Sequence, residues 1–202
     1  EYYPGESGTP GVDVDAINAW DKEKGNENIV IAVLDSGVDY NHPDLANKIW
    51  VNPGEDLNGN GIADWTPYPD GDLDDEDTDN NCQGWPPIYD ISAACVDDII
   101  GADFVEPAPG CTDTDCDTPD NIPMDGFGHG THVAGVAGAE TNNEEGIASL
   151  CQECKIMPVR VCYKTNDGGA CYMLTVLYGI YYAADNDADV ISISLGLVDE
   201  TC

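Results

Sequence analysis

Residues 29–35 read IVIAVLD and residues 190–195 read VISISL. Continuous β-branched runs of this kind are typical of strands buried on both faces of a parallel sheet. Residues 155–162 are also strand-like. Helices are predicted over residues 13–20, over the Gly- and Ala-rich residues 130–139, and along an apolar face formed by Met173, Leu177, Ile180 and Ala184. The alternation of strands and helices predicts an α/β fold, a parallel sheet with helices on both faces.

The charge of the chain limits its partners. Forty acidic side chains stand against six basic ones, which gives the 202 residues a formal net charge of −34 at pH 7. Nucleic acids and anionic membrane surfaces are bound through basic patches, so we expect neither as a partner. No apolar stretch approaches the length of a membrane span. The excess of acid indicates either a very soluble, halophile-like surface or metal-binding loops with oxygen ligands.

Nine cysteines in a chain of this length indicate an oxidising compartment, so we expect a secreted protein. Connectivity cannot be read from spacing alone, but pairing in sequence order is a simple prediction that leaves Cys202 over. The CxxC at residues 151–154 could instead bind zinc, although a lone CxxC is weak support for such a site. The predicted pairs are Cys82–Cys95, Cys111–Cys116, Cys151–Cys154 and Cys162–Cys171.

Residues 51–122 differ in composition from the rest of the chain. They are rich in Asp, Asn, Gly and Pro, lack clear periodicity and contain four of the nine cysteines. We interpret them as an acidic, loop-rich insertion within one domain of residues 1–202. We expect disulfides and metal ions, rather than a core, to hold this insertion.

The insertion begins with a calcium-loop pattern. Residues 56–64 read DLNGNGIAD. The pattern matches the first nine positions of an EF-hand-like loop, in which oxygen ligands bind Ca²⁺ and a glycine at position 6 makes the turn. Position 12 is Pro67 rather than glutamate, so later ligands would come from elsewhere. The alternative is a polar turn without metal. The candidate ligands are Asp56, Asn58, Asn60, Ile62 and Asp64.

Polar residues coincide with the ends of the predicted elements. Asp35 follows the first strand, and His129 opens the glycine-rich helix. Ligands of open parallel sheets lie at the carboxyl ends of the strands, so the two side chains can face one crevice. A carboxylate that accepts a hydrogen bond from histidine Nδ1 leaves Nε2 to deprotonate a nucleophile. The alternatives are a turn-capping Asp35 with a core histidine, or a zinc site at His129 and His132, which lacks the usual i, i+4 spacing and glutamate.

Three segments together resemble the subtilisin-like serine proteases, or subtilases. Residues 33–39 (VLDSGVD) are similar to the catalytic-aspartate segment, and residues 125–135 (DGFGHGTHVAG) to the catalytic-histidine segment. Residues 189–196 (DVISISLG) resemble the strand that pairs with the substrate backbone. The resemblance covers residues of about 12–50 and 96–199, the N-terminal half of a catalytic domain, in the family order of Asp before His.

The resemblance implies roles for single residues. Asp35 would orient His129, which would act as general base and then as general acid. Ser194, Leu195 and Gly196 would bind an extended peptide by β-augmentation, with Gly168 and Gly169 at the opposite edge of the cleft. Calcium would be held at a second site by side-chain and carbonyl oxygens of Asp44, Asn143, Glu145 and Ile147.

The nucleophile of the family lies in a Gly-Thr-Ser segment for which residues 1–202 have no match. We therefore expect the serine on a C-terminal segment or a second chain, without which this chain is inactive. The sequence then predicts a secreted, calcium-stabilised serine endopeptidase that cleaves polypeptides through an Asp-His-Ser triad. The alternative function is a non-catalytic extracellular calcium-binding module on a subtilase-like scaffold.

Overall fold

The computed structural model describes residues 13–63, 94, 96–116 and 118–196. The helices are α1 (Ala16–Trp20), α2 (His129–Gly138) and α3 (Met173–Asp185), with a 3₁₀ turn at Ala46–Lys48. The strands are β1 (Val30–Asp35), β2 (Ala102–Asp103), β3 (Lys155–Arg160), β4 (Cys162–Thr165), β5 (Gly168–Cys171) and β6 (Val190–Ser192). No helix in this part of the chain combines the length and apolar character that crossing a membrane requires.

The main sheet is parallel and has the order β2-β3-β1-β6. β1 lies inside it and pairs with β3 along its whole length, from Val30 opposite Lys155 to Asp35 opposite Arg160. All six residues of β1 are buried, as the β-branched run predicts. β4 and β5 form a separate antiparallel hairpin. The predicted α/β class with a parallel sheet is confirmed.

The two faces of the sheet are covered by different helices. Ile31 and Val33 of β1 belong to a core cluster with Ala134 of α2. Ala32 and Leu34, which point to the opposite face of the strand, belong to the cluster that contains α3. Because β1 alternates between the two clusters, helices lie on both faces of the sheet.

α3 turns a different face to the core than the sequence pattern predicts. Met173 is 68% exposed and Leu177 is 42% exposed. Tyr178 and Tyr182 are buried instead, with ring centroids 6.2 and 5.7 Å from that of Phe104. Ile180 of the predicted face packs against the same core cluster, so the buried side of α3 combines this residue with the two tyrosines.

β6 is shorter and more exposed than the predicted strand of residues 190–195. It ends at Ser192, and among the described residues it pairs with β1 alone. Val190 is 50% exposed and Ile193 is 43% exposed. The expectation of a fully buried strand was wrong here because an edge strand has one neighbour rather than two.

Part of the predicted insertion belongs to the core. Ile99, Ile100 and Phe104 are buried, and β2 pairs with β3 in the main sheet. The expectation that only disulfides and metal hold residues 51–122 is therefore wrong for residues 99–105. Short apolar runs between acidic residues gave no periodicity by which to recognise them.

Three of the predicted disulfides are present, at Cys111–Cys116, Cys151–Cys154 and Cys162–Cys171. The bond between Cys151 and Cys154 removes the thiolate pair on which the zinc alternative for the CxxC depended. Cys82, Cys95 and Cys202 lie outside the described residues.

One buried cation gathers several carboxylates at the end of the sheet. Arg160, at the end of β3, is 1% exposed; its Nη1 contacts Asp103 of β2, and its Nη2 lies 3.2 Å from Asp113. Burial lowers the pKa of this guanidinium, but the surrounding carboxylates outweigh that effect and raise its pKa above the ordinary value. Asp103, Asp115 and Asp120 are close enough to share a metal ion, yet Arg160 already supplies positive charge there.

Replacing Arg160 tests this network. We expect Arg160→Met to lower the free energy of unfolding by about 3–5 kcal/mol, because it leaves buried carboxylates without their counter-charge. The measurement is denaturant unfolding followed by circular dichroism. Lys164→Met removes a cation from an exposed position in β4 and should change stability by less than about 0.5 kcal/mol. Equal losses of unfolding free energy in Arg160→Met and Lys164→Met would contradict the proposed role of Arg160.

Candidate active site

Asp35 lies at the carboxyl end of the central strand β1 and is 1% exposed. Its Oδ1 accepts a hydrogen bond from the backbone N–H of Ser36 at 2.7 Å and lies 2.7 Å from Nδ1 of His129. Since the carboxylate can only accept, Nδ1 of the neutral imidazole carries the proton. The unprotonated Nε2 is then available as a base.

His129 is the first residue of α2, and its side chain is 44% exposed whereas that of Asp35 is almost fully buried. The pair therefore joins an interior carboxylate to an imidazole that solvent can reach. The structure brings together the two residues that the sequence assigned to catalysis.

Asp125 organises the loop that leads into α2. Its carboxylate accepts backbone hydrogen bonds from Phe127, Gly128 and Thr131 at 2.7–2.9 Å. It also accepts from the hydroxyls of Thr131 and Ser36. Burial raises the pKa of Asp125, but these hydrogen bonds outweigh burial and hold its pKa below the ordinary value. Sequence reasoning missed this residue, although an acid just before a helix start is a recognisable signal.

Gly130 allows α2 to pack directly on the end of β1. Its N–H donates to Ser36 Oγ at 3.0 Å, and a Cβ atom at this position would lie 2.1 Å from the carbonyl oxygen of Gly37. A side chain would therefore push the helix away from the strand. The glycine beside His129 thus permits the close approach that places the imidazole on Asp35.

A cavity of about 740 Å³ opens beside the Asp35–His129 pair. The predicted substrate-binding residues Ser194, Leu195, Gly196 and Gly169 line this cavity. Gly168 is not among its lining residues; its carbonyl oxygen accepts a hydrogen bond from Thr165 in the turn of the hairpin. The two predicted edges of a substrate cleft therefore face the same space.

The residues predicted for the second calcium site lie together in a loop around Asp44. Asp44 is 3% exposed; its Oδ1 accepts from the Asn143 amide at 2.7 Å, and its Oδ2 accepts from the Ile147 N–H at 2.9 Å. A Cβ atom on Gly146, which has φ +48°, would lie 2.0 Å from Asp44 Oδ2. Glu145 is exposed, and its N–H donates to the Asn143 side chain. The loop therefore wraps closely around the Asp44 carboxylate.

The predicted EF-hand-like loop folds around the side chain of Asp56. The Asp56 carboxylate accepts hydrogen bonds from the backbone N–H groups of Asn60 and Gly61 at 3.0 and 2.8 Å. Asn58 and Asn60 accept from backbone N–H groups two residues further along. Ile62 is 61% exposed, and Asp64 lies outside the described residues. Three of the predicted side-chain ligands thus lie on one tight loop.

His132 is exposed on α2, whereas His129 turns to Asp35. Within the described ranges, neither histidine belongs to a group of three side chains able to share a metal ion. The zinc alternative for this pair therefore has no supporting geometry there.

Replacing Asp125 tests its role as the organiser of the loop. Near neutral pH we expect Asp125→Asn to lower the free energy of unfolding by about 1.5–3 kcal/mol, because several donors lose a charged acceptor. Because the pKa of Asp125 is lowered in the folded state, its ionised carboxylate contributes fully to the free energy of unfolding above the ordinary carboxyl pKa. This contribution is lost as the pH falls through the pKa of the folded protein. The difference between wild type and variant should therefore shrink below about pH 4.

The measurement is denaturant unfolding at several pH values. Asp21→Asn changes the charge equally at an exposed position and serves as the control. A deficit in Asp125→Asn that does not depend on pH would contradict the hydrogen-bonding explanation.

Comparison with known proteins agrees with this geometry. Residues 26–201 match the model of the Subtilase family. The chain is 34% identical to the Thermophilic serine proteinase of Bacillus sp. (strain AK1) over 178 residues, which cover 88% of this chain and 28% of that protein. It is 32% identical to Thermitase of Thermoactinomyces vulgaris over 183 residues, which cover 91% of this chain and 42% of that protein. The chain thus spans less than half the length of either relative.

A solved structure shares the fold. A protease from Pseudoalteromonas arctica PAMC 21717 superimposes with a TM-score of 0.52 over 88% of this chain and 43% of that chain, at 24% identity. The family match extends over most of the chain and includes the β1 and α2 segments that carry Asp35 and His129. The chain belongs to the subtilase family.

Proposed function

We propose that this protein is a secreted serine endopeptidase in which Asp35 and His129 are two members of an Asp-His-Ser triad. The observation that carries the proposal is the 2.7 Å hydrogen bond between the buried Asp35 carboxylate and Nδ1 of the half-exposed His129, at the mouth of a cleft. Family membership makes peptide-bond hydrolysis the chemistry to test first.

In this mechanism His129 first accepts a proton and then donates it. Nε2 accepts the proton of a serine hydroxyl as the serine oxygen bonds to the scissile carbonyl carbon, and it then gives that proton to the leaving amine. Asp35 remains ionised, holds the tautomer and stabilises the imidazolium that forms between the two transfers. Water repeats the sequence on the acyl-enzyme and releases the acid product.

The serine belongs, in this proposal, to a C-terminal segment or a second chain. The hydroxyl of Ser36, next to Asp35 in sequence, donates to Asp125 rather than to His129. Val190 of β6 and the side chains Leu177 and Tyr181 of α3 are exposed, and further strands and helices could cover them. Relatives more than twice as long as this chain are consistent with such a segment.

The substrate would be an extended polypeptide bound through its backbone. Ser194–Gly196 continue from β6 beyond its last paired residue, and β5 offers Gly169 across the cleft, with Gly168 behind it in the hairpin turn. A peptide between them would gain main-chain hydrogen bonds on both sides, as in β-strand addition. The three disulfides support secretion, because such bonds persist in oxidising compartments.

Calcium fits the Asp44 loop. The close wrapping of Gly146 around the Asp44 carboxylate leaves room for backbone there and none for a side chain. With its amide turned over, Asn143 would offer its oxygen next to Asp44. Carbonyl oxygens of Glu145 and Ile147 would complete a hard-oxygen ligand set of the kind that Ca²⁺ prefers. An ion would neutralise charge and rigidify the loop after α2.

The Asp56 loop is a second proposed calcium site. Asp56, Asn58 and Asn60 provide side-chain oxygens, and Ile62 and Asp64 occupy the positions of a carbonyl and a later ligand. Backbone N–H groups of the loop now occupy the carboxylate of Asp56. Calcium would compete with these hydrogen bonds, as it would with the Ile147 N–H at Asp44.

The triad is tested on the full-length gene product. We expect wild type to hydrolyse an unfolded protein substrate and to be labelled by a fluorophosphonate, and His129→Ala to lose at least about a thousandfold in kcat. Asp35→Asn should lose a similar factor, because the histidine would be held in the wrong tautomer. His132→Ala is the matched control and should keep wild-type activity.

An unlabelled, inactive wild type that still binds Ca²⁺ would overturn the proposal. That result would favour the alternative function, a non-catalytic calcium-binding module. Inhibition by zinc chelators without fluorophosphonate labelling would instead support a zinc hydrolase that uses His129 and His132.

Calcium is tested by thermal unfolding with and without a calcium-specific chelator. Saturating calcium at about 100 times its Kd should stabilise the protein by about 2.7 kcal/mol, and chelation should remove that gain. Asp44→Asn should abolish most of the calcium-dependent shift, whereas Asp21→Asn should leave it intact. An identical melting temperature in the presence and absence of calcium would rule out a structural role for the ion.

A further inference from the structure

We propose that Phe127 is a positioning residue for His129, and that the disulfide-closed hairpin β4–β5 holds Phe127 in place. The inference rests on the proposed function, since it assigns a role within the same triad. It is carried by a chain of contacts from the Cys162–Cys171 bond through Gly169 and Phe127 to the imidazole.

The hairpin depends on its disulfide. Among the described residues β4 and β5 form a two-stranded sheet, to which Cys111 adds an isolated bridge at Thr165, and two-stranded hairpins alone are marginally stable in water. Cys162 and Cys171 are directly opposed in its register and are joined covalently. Cys162 is 2% exposed and belongs to the core, whereas Cys171 is exposed. The bond therefore ties the outer strand β5 to the body of the protein.

β5 supports the ring of Phe127. A Cβ atom on Gly169 would lie 3.0 Å from Cε1 and 3.4 Å from Cδ1 of Phe127. These distances mean that the ring rests on the backbone of β5 where a side chain would have crowded it. Phe127 is 38% exposed and lines the cavity beside the Asp35–His129 pair, so its contact with β5 is made at the edge of the cleft rather than in the core.

The same ring stands beside the imidazole. The centroids of Phe127 and His129 are 6.4 Å apart and their planes differ by 25°. The hydrogen bond to Asp35 fixes Nδ1 but leaves the half-exposed imidazole free to turn about that contact. A near-parallel ring beside it removes part of this freedom, which keeps Nε2 aimed into the cleft.

The loop that carries Phe127 is braced from the other side as well. Asp113, within the Cys111–Cys116 loop, packs so closely on Gly126 that a Cβ atom there would overlap its carboxylate. The N–H of Thr112 in that loop donates to the carbonyl of Lys164 in β4 at 2.8 Å. The Cys111–Cys116 loop thus contacts both the segment before His129, at Gly126, and the hairpin, at Lys164.

The test compares steady-state kinetics of the full-length protein on a peptide substrate. Phe127→Ala should lower kcat roughly ten- to a hundredfold with KM changed by less than about threefold, because a misaimed base slows chemistry rather than binding. Phe127→Tyr should restore most of kcat. Gly169→Ala, which pushes on the ring, should lower kcat in the same direction.

The disulfide is tested with Cys162→Ser/Cys171→Ser against a matched pair. Cys151→Ser/Cys154→Ser removes a disulfide at the opposite end of β3 and should leave kcat unchanged. Melting temperatures and calcium binding of all variants show whether each has folded. The Cys162→Ser/Cys171→Ser protein should fold and show the kcat loss of Phe127→Ala.

The outcomes separate this inference from the function on which it rests. A wild type that no fluorophosphonate labels overturns the triad itself. An active wild type whose Phe127→Ala variant raises KM at unchanged kcat overturns the positioning role and makes Phe127 a wall of the substrate cleft. An unchanged kcat in the Cys162→Ser/Cys171→Ser variant would show that the disulfide is not needed to hold Phe127 in place.

Discussion

The burial of β1 between two strands and two layers of helices is the constraint on which the rest of the structure depends. Every side chain of this strand is enclosed, so its register with β3 cannot slip without exposing one core cluster and overfilling the other. Because the strand is fixed, its last residue is fixed too. Asp35 is therefore held at one point at the carboxyl edge of the sheet, where its Oδ1 contacts both the Ser36 N–H and His129 Nδ1.

Polar contacts and small residues, rather than apolar packing, position His129 next to Asp35. Asp125 gathers donors from the loop and from Thr131, and it also accepts from Ser36 at the end of β1. Gly130 lets the helix come close enough for these bonds to form. The loop before α2 is thus attached to the strand by hydrogen bonds that span 89–94 residues of sequence.

A chain with a net charge of −34 must place many carboxylates near one another, and it does so in two ways. At the end of the sheet, Arg160 gathers buried acids around one guanidinium. In the Asp44 and Asp56 loops, backbone N–H groups point at the carboxylates instead. No cationic side chain pairs with Asp44 or Asp56 among the ion pairs of the described residues, so the proposed calcium sites are in those loops and not beside Arg160.

The parallel sheet could be predicted from the β-branched runs of residues 29–35 and 190–195, and the approach of His129 to Asp35 from the glycines around His129 together with the resemblance to subtilases. The sequence also indicated three disulfides through short spacings. Which face of α3 is buried depends on packing across the fold, because Tyr178 and Tyr182 contact the ring of Phe104 while Met173 and Leu177 stay exposed. Phe104 lies in a segment whose composition predicts a loop. The fold likewise brings Arg160 to Asp103, Asp125 to Ser36 and Phe127 to Gly169, partners that are more than 40 residues apart in sequence.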